Sequence, residues 1–180
     1  MSVVKGQAMP STWFQWHVAL IRPGVRILDV ACGDGRHAIA AAQRGANVLT
    51  IDSDADRLAN AERAARKANV TINMQQLDLT RDPFPAGPFE IVMQFEYLDR
   101  KRIPELLEIV KPGGYFEADM FLEQQRELGW GPTSDKHLLK QGELWSLVGN
   151  YEIVLAREVL ETLDGRAKAV ASILAQRPPT

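Results

Sequence analysis

Two β-rich runs, residues 151–163 and 166–176, are joined by nothing more than Asp164 and Gly165. Asp-Gly is a strong two-residue hairpin signal, and a connection that short joins only antiparallel strands. Everything upstream reads differently. Apolar β-rich runs at 25–30, 47–51, 70–77, 89–95 and 115–121 alternate with helical patterns. One helix spans 36–44 and is closed by Gly45. Another is capped by Ser53 or Asp54 and carries Leu58, Ala61, Ala65 and Ala68 on its inner face. A third spans 103–110. Strands alternating with helices predict βαβ units and a parallel sheet covered on both faces. The chain is therefore expected to build a mostly parallel sheet that finishes with an antiparallel pair.

A leading helix over 10–22 precedes this pattern. Thr12 and Gln15 have capping-box spacing, and Trp13, Trp16, His17 and Leu20 recur at helical intervals until Pro23 and Gly24 stop it. The 180 residues set a prior of about one domain, so a single domain over 1–180 is expected. With 21 basic against 23 acidic residues the net charge is −2, which leaves no electrostatic footprint for a nucleic-acid backbone. The longest unbroken apolar run, 38–42, falls far short of the ~20 residues of a membrane span. Residues 1–7 hold no apolar stretch that would make a secretory signal. Cys32 is the single cysteine, which excludes intramolecular disulfides and cysteine-cluster metal sites. A cytoplasmic protein with no nucleic-acid or membrane partner is the expectation; the oligomeric state is not legible.

The chemistry gathers at the first strand. Asp29 is followed by Gly33 and Gly35, which allow a sharp turn and close backbone approach to a ligand, and the next helix presents its N–H groups there. Asp52 follows Gly33 by nineteen residues, just past the second strand, where an acidic side chain holds both hydroxyls of a ribose. Turn, helix and acid together point to a nucleoside cofactor. Gly33, Gly35 and Ala38 also satisfy a dinucleotide pattern. Against a nicotinamide cofactor stand Asp29, which repels a pyrophosphate but suits the ammonium and sulfonium of S-adenosylmethionine, and Asp78, placed to accept from an adenine amino group. The terminal hairpin is also foreign to a plain dinucleotide fold.

Residues 27–35 (ILDVACGDG) resemble the first motif of class I S-adenosylmethionine-dependent methyltransferases. The resemblance implies roles in cofactor binding for Asp29, Gly33, Gly35, Asp52 with neighbouring Ser53, Asp78 with Leu79, and Gln94 at the end of the fourth strand. The turn at 111–114 commonly leads into the fifth strand of this family. The implied fold is a Rossmann-like, doubly wound, seven-stranded α/β sheet of order 3-2-1-4-5-7-6, with strand seven antiparallel. It implies a cofactor-binding core over 25–121 and a terminal hairpin over 151–176. Residues 32–36, 111–115 and 140–144 are similar to those of the small tellurite-resistance-type methyltransferases, in which basic residues of the last hairpin line the substrate site. Here 158–164 is acidic and apolar, which disfavours oxyanion chemistry. Arg36 replaces the third glycine of the usual motif. Residues 94–97 (QFEY) lack the pattern of base and glutamine N-methyltransferases, which disfavours planar nitrogens as acceptors.

The resemblance thus implies methyl transfer from S-adenosylmethionine to a small-molecule acceptor, with S-adenosylhomocysteine released. A non-catalytic cofactor-binding module acting through a protein partner is the alternative, and a nucleotide-dependent oxidoreductase a weaker one. No cluster looks like a metal site. On the acceptor side the candidates are Tyr97 and His137 for catalysis, and Trp13, His17, Asp119 and Trp130 for binding. Residues 123–140 have little periodicity and are expected to form a lid. Cys32 reads as a small buried hydrophobe, His37 as a packing or capping residue, and residues 100–102 (RKR) as a solvated charge run.

Overall fold

The computed structural model describes residues 9–163 and 165–179. Seven strands form one sheet in the order β3-β2-β1-β4-β5-β7-β6, as the resemblance implied. The backbone falls into two compact units, one ending at Pro83 and the other beginning at Phe84.

In the first unit, helix α1 (Thr12–Trp16) is capped by Ser11, whose Oγ accepts from the Phe14 N–H at 3.2 Å. The cap thus sits one residue earlier than the spacing predicted. Gln15 bonds the Pro10 carbonyl, so no capping box forms. The helix stops at Trp16, and a 3₁₀ turn (Val18–Leu20) follows. Its i, i+3 repeat preserves the periodicity that reads as one longer helix. Strands β1 (Arg26–Val30), β2 (Asn47–Asp52) and β3 (Asn73–Gln76) pair in parallel. β3 is shorter than the predicted 70–77 because the Val70 N–H is spent on the Ala65 carbonyl, closing the preceding helix. Helix α2 (Arg36–Gln43) buries an almost continuous Ala-rich face. Helix α3 (Ala55–Lys67) is capped by Asp54, which accepts from the Asp56 and Arg57 N–H groups. A Cβ on Gly35 would lie 2.9 Å from that of Ala61, so glycine there permits close helix approach as well as a positive φ.

In the second unit, β4 (Phe89–Phe95) is followed by α4 (Ile103–Glu108) and β5 (Val110–Phe121), with β4 and β5 parallel. β5 starts five residues earlier than predicted (at 110 rather than 115). The 111–114 turn is a bulge within it, between the pairs Phe89–Val110 and Ile91–Tyr115. The bulge satisfies its backbone by bonding Arg177: the Gly113 N–H donates to the Arg177 carbonyl, and the Arg177 N–H to that of Gly114. Helix α5 (Glu143–Leu147) leads into β6 (Glu152–Leu163) and β7 (Arg166–Gln176). β7 runs antiparallel to both β5 and β6. Asp164 lies outside the described residues, but Leu163 pairs with Arg166, the register of a two-residue hairpin. β7 is buried along almost its whole length, whereas β6 forms the sheet edge and exposes Ile153, Val154, Leu155 and Leu160. Among the described residues no helix is long and apolar enough to cross a membrane.

Candidate functional site

In the first unit the site residues collect where β1 and β2 end. β1 delivers Asp29, buried, and then turns through Ala31, Gly33 and Gly35, all at positive φ. β2 ends on Asp52, whose Oδ2 accepts from the Gly33 N–H at 2.8 Å and Oδ1 from the Asp54 N–H at 2.9 Å. The nineteen-residue spacing therefore has a direct structural reason: the acid fastens the first glycine of the turn. Each bond leaves its oxygen further lone-pair capacity. Cys32 is buried between Asp29 and Asp52. Loss of solvent and the two neighbouring carboxylates push its thiol well above the usual range, which keeps it protonated and inert. Asp78 heads a turn, its Oδ1 accepting from the Thr80 N–H and hydroxyl and its Oδ2 meeting Arg81 at 2.9 Å. Leu79 is buried and Ser53 exposed.

Two acceptor-side expectations fall in this unit as well. Trp13 is fully buried, with the His17 ring edge-on at 4.6 Å, and His17 is itself buried. Trp13 thus packs as core, and Trp16 is the exposed tryptophan of that helix. His37 accepts the Ser11 N–H on Nε2 at 3.1 Å and packs on Phe14, which is the capping and packing role expected of it.

The second unit places Gln94 at the end of β4, buried, with no hydrogen-bond partner for Oε1 among the described residues. Tyr97 is half-buried. Asp119 belongs to a network that sequence reasoning missed. Lys168 Nζ lies 3.0 Å from Asp119 Oδ2, 3.5 Å from Glu161 Oε1 and 3.6 Å from Glu96 Oε1. The Ser172 hydroxyl donates to Asp119 Oδ1 at 2.7 Å. Arg157 joins from β6, meeting Glu161 Oε2 at 2.8 Å and donating to Ser172 Oγ. Burial pushes the Asp119 carboxyl above its ordinary range, opposed by the Lys168 charge and by the hydrogen bonds from Ser172 and Lys168. The available signal was a lone Lys in the apolar run 167–175 and a lone Asp in 118–122. Charges isolated in buried strands need partners, and adjacent strands supply them.

The 123–140 segment is a packed element. Two 3₁₀ turns, Glu123–Leu128 and Asp135–His137, and a bridge between Leu122 and Leu139 give it structure. Buried Gln125 donates to the Trp130 carbonyl and accepts the Ala169 N–H. Trp130 packs on the cluster of Phe121, Leu138 and Val170, and its Nε1 donates to the Ala167 carbonyl at 2.8 Å. Arg100 fastens the segment's end by bonding both Glu143 oxygens and the carbonyls of Asp135, Lys136 and Leu138. Arg102 is buried against Glu105 and Phe84. The 100–102 run is therefore not a solvated face, since two of its three cations hold structure. His137 stands exposed, and the network above is built without it. Trp130→Ala is expected to lower stability by about 3 kcal/mol, the low end for a large aromatic because the ring is only partly buried. Denaturant titration checks this, and a loss below 1 kcal/mol would restore a lid-like, loosely held Trp130.

Residues 27–114 match the family model described as a methyltransferase domain. Over those residues the chain is similar to methyltransferase domains. TehB from Haemophilus influenzae shares the fold with a TM-score of 0.76 at 18% identity, over 91% of this chain and 61% of that one, in keeping with the tellurite-type resemblance. An uncharacterized protein of Mycobacterium tuberculosis is 31% identical over 99 residues, 52% of this chain and 36% of its own length. The ubiquinone biosynthesis O-methyltransferase of Cronobacter sakazakii is 34% identical over 98 residues, 51% of this chain and 40% of its own length. The matched region thus spans less than half of these curated relatives.

Proposed function

We propose that the chain is a methyltransferase that binds S-adenosylmethionine through the β1 and β2 ends and methylates a small-molecule acceptor. The observation that carries this reading is the pair of buried carboxylates, Asp29 and Asp52, at a glycine turn. Two buried anions beside the turn make a poor seat for a pyrophosphate and a good one for an ammonium and a pair of ribose hydroxyls. Asp52 takes the ribose hydroxyls on the lone pairs that Gly33 and Asp54 leave, and Asp29 supports the cationic end. Asp78 faces the adenine amino group while Thr80 and Arg81 steady it, with Leu79 and Ser53 beside it. When bound, the cofactor supplies an activated methyl group on a sulfonium. The chain's own work is then to orient the acceptor and exclude water.

Calorimetry with S-adenosylhomocysteine and with NAD tests the reading. Saturable binding of the first and none of the second is expected, and comparable NAD affinity would overturn it. Release of labelled methyl groups to small thiols, amines or phenols then separates an enzyme from a cofactor-binding module.

A further inference from the structure

We propose that Arg57 is a second ribose-recognition residue, donating to a hydroxyl oxygen whose hydrogen goes to Asp52. The inference rests on the cofactor reading above, in which Asp52 takes the ribose, and it concerns the first unit alone. One face of helix α3 lies along the glycine turn. Asn60 donates to Asp34 Oδ1 at 3.1 Å, and a Cβ on Gly35 would meet Ala61. Arg57 continues the same face one turn nearer the start of the helix. A Cβ on Gly33 would lie 3.1 Å from Arg57 Nη1, so the guanidinium fills the space that a side chain at 33 would need. The same glycine donates its N–H to Asp52 Oδ2 at 2.8 Å. A cation and an anion thus meet one residue of the turn.

Stability does not account for a cation here. Arg57 stands in the first turn of α3, where the helix dipole disfavours positive charge. Its one ion pair among the described residues is with Asp54, 3.9 Å away, and 61% and 51% of the two side chains are exposed. Such a pair adds little. The guanidinium makes no hydrogen bond to another described residue, and it does not pair with Asp52. Its donors are therefore available beside a carboxylate that only accepts. Guanidinium and carboxylate together match a sugar hydroxyl, which gives its hydrogen to the acid and takes one from the arginine. A site built this way reads the hydroxyl twice, and a deoxyribose forfeits both bonds.

Adenosine, 2′-deoxyadenosine, 3′-deoxyadenosine and S-adenosylhomocysteine are the probes. Each is titrated into ¹⁵N-labelled wild-type protein and into Arg57→Met, with the amide signals of the glycine turn as the readout. The variant is expected to bind S-adenosylhomocysteine and adenosine about tenfold more weakly, the low end for a charged hydrogen bond because the guanidinium is exposed. The loss should vanish for one deoxyadenosine, the one without the hydroxyl that Arg57 holds, and persist for the other. Arg57→Lys keeps a charged donor and should recover part of the affinity. A purely structural role would weaken all four ligands alike, which overturns the inference. So does a loss confined to S-adenosylhomocysteine, since that places the guanidinium at the amino-acid end. Wild-type binding that Arg57→Met leaves intact overturns this inference alone. Wild-type protein that binds neither S-adenosylhomocysteine nor adenosine overturns the cofactor reading, and this inference with it.

Discussion

Lys168→Met is expected to cost about 3–5 kcal/mol of folding stability, the penalty of leaving a buried carboxylate without its counter-ion. Methionine nearly conserves the volume of the lysine stem, so the change isolates the charge. What remains is Asp119, fully buried, with Glu161 beside it and only Ser172 and Arg157 to answer them. Acidity should move the variant in a defined direction. The folded Asp119 carboxyl already holds its proton above the ordinary range because it is buried. Its contribution is therefore most favourable at low pH and is lost as pH rises through the folded value. Removing Lys168 takes away the largest opposing influence and raises that value further. The variant should thus regain part of its deficit between pH 7 and pH 5, where the wild type changes less. Urea titrations at the two pH values check both effects. Adding Asp119→Asn to Lys168→Met should recover part of the loss, which measures the coupling of the pair. A single variant within 1 kcal/mol of the wild type would mean that the network is hydrated.

The second large effect is expected at Asp52. Its carboxylate holds the Gly33 and Asp54 N–H groups, and hydrogen bonds to charged groups contribute roughly 1.5–3 kcal/mol each. Water replaces part of both bonds in the variant, so Asp52→Ala should cost less than their sum, about 2–4 kcal/mol of stability. It should also weaken S-adenosylhomocysteine by at least tenfold, because the ribose loses its acceptor and the turn loses its anchor. Asp52→Asn keeps one acceptor oxygen and should fall between. Stability and affinity measured on both variants decide the case. An Ala variant as stable as the wild type would deny the anchoring role, and unchanged affinity would deny the cofactor role.

The architecture was legible because it rests on signals that local chemistry fixes strongly. The apolar runs give the strands, and Asp54 gives the cap of α3. A two-residue link gives the antiparallel ribbon, and β4 is found at its predicted bounds. Boundaries that depend on where backbone groups find partners were not legible. Val70 closes a helix where a strand was expected, and the β5 bulge is held by Arg177, far away in sequence. In the candidate site, the glycine turn and Asp52 are read from spacing because one hydrogen bond links them. The Lys168 network joins four separate stretches of chain, so no spacing announces it. Asp119 alone was singled out, without the lysine that explains its burial. The turns of the 123–140 segment were not legible because 3₁₀ turns and a buried Gln125 leave little periodic trace.

Because β7 runs against β5, its opening residues lie beside the closing residues of β5, with Val170 opposite Phe121 and Ser172 opposite Asp119. A parallel strand in that place would enter the sheet at the other edge and bring its first side chains to the wrong end. The reversal turns a terminal ribbon into an interchangeable tool-holder. Arg157, Glu161 and Lys168 can be altered together, along one loop-linked stretch, while the glycine turn and Asp52 keep their own bonds. The charges on the ribbon can therefore be rewritten without touching the bonds that hold the glycine turn.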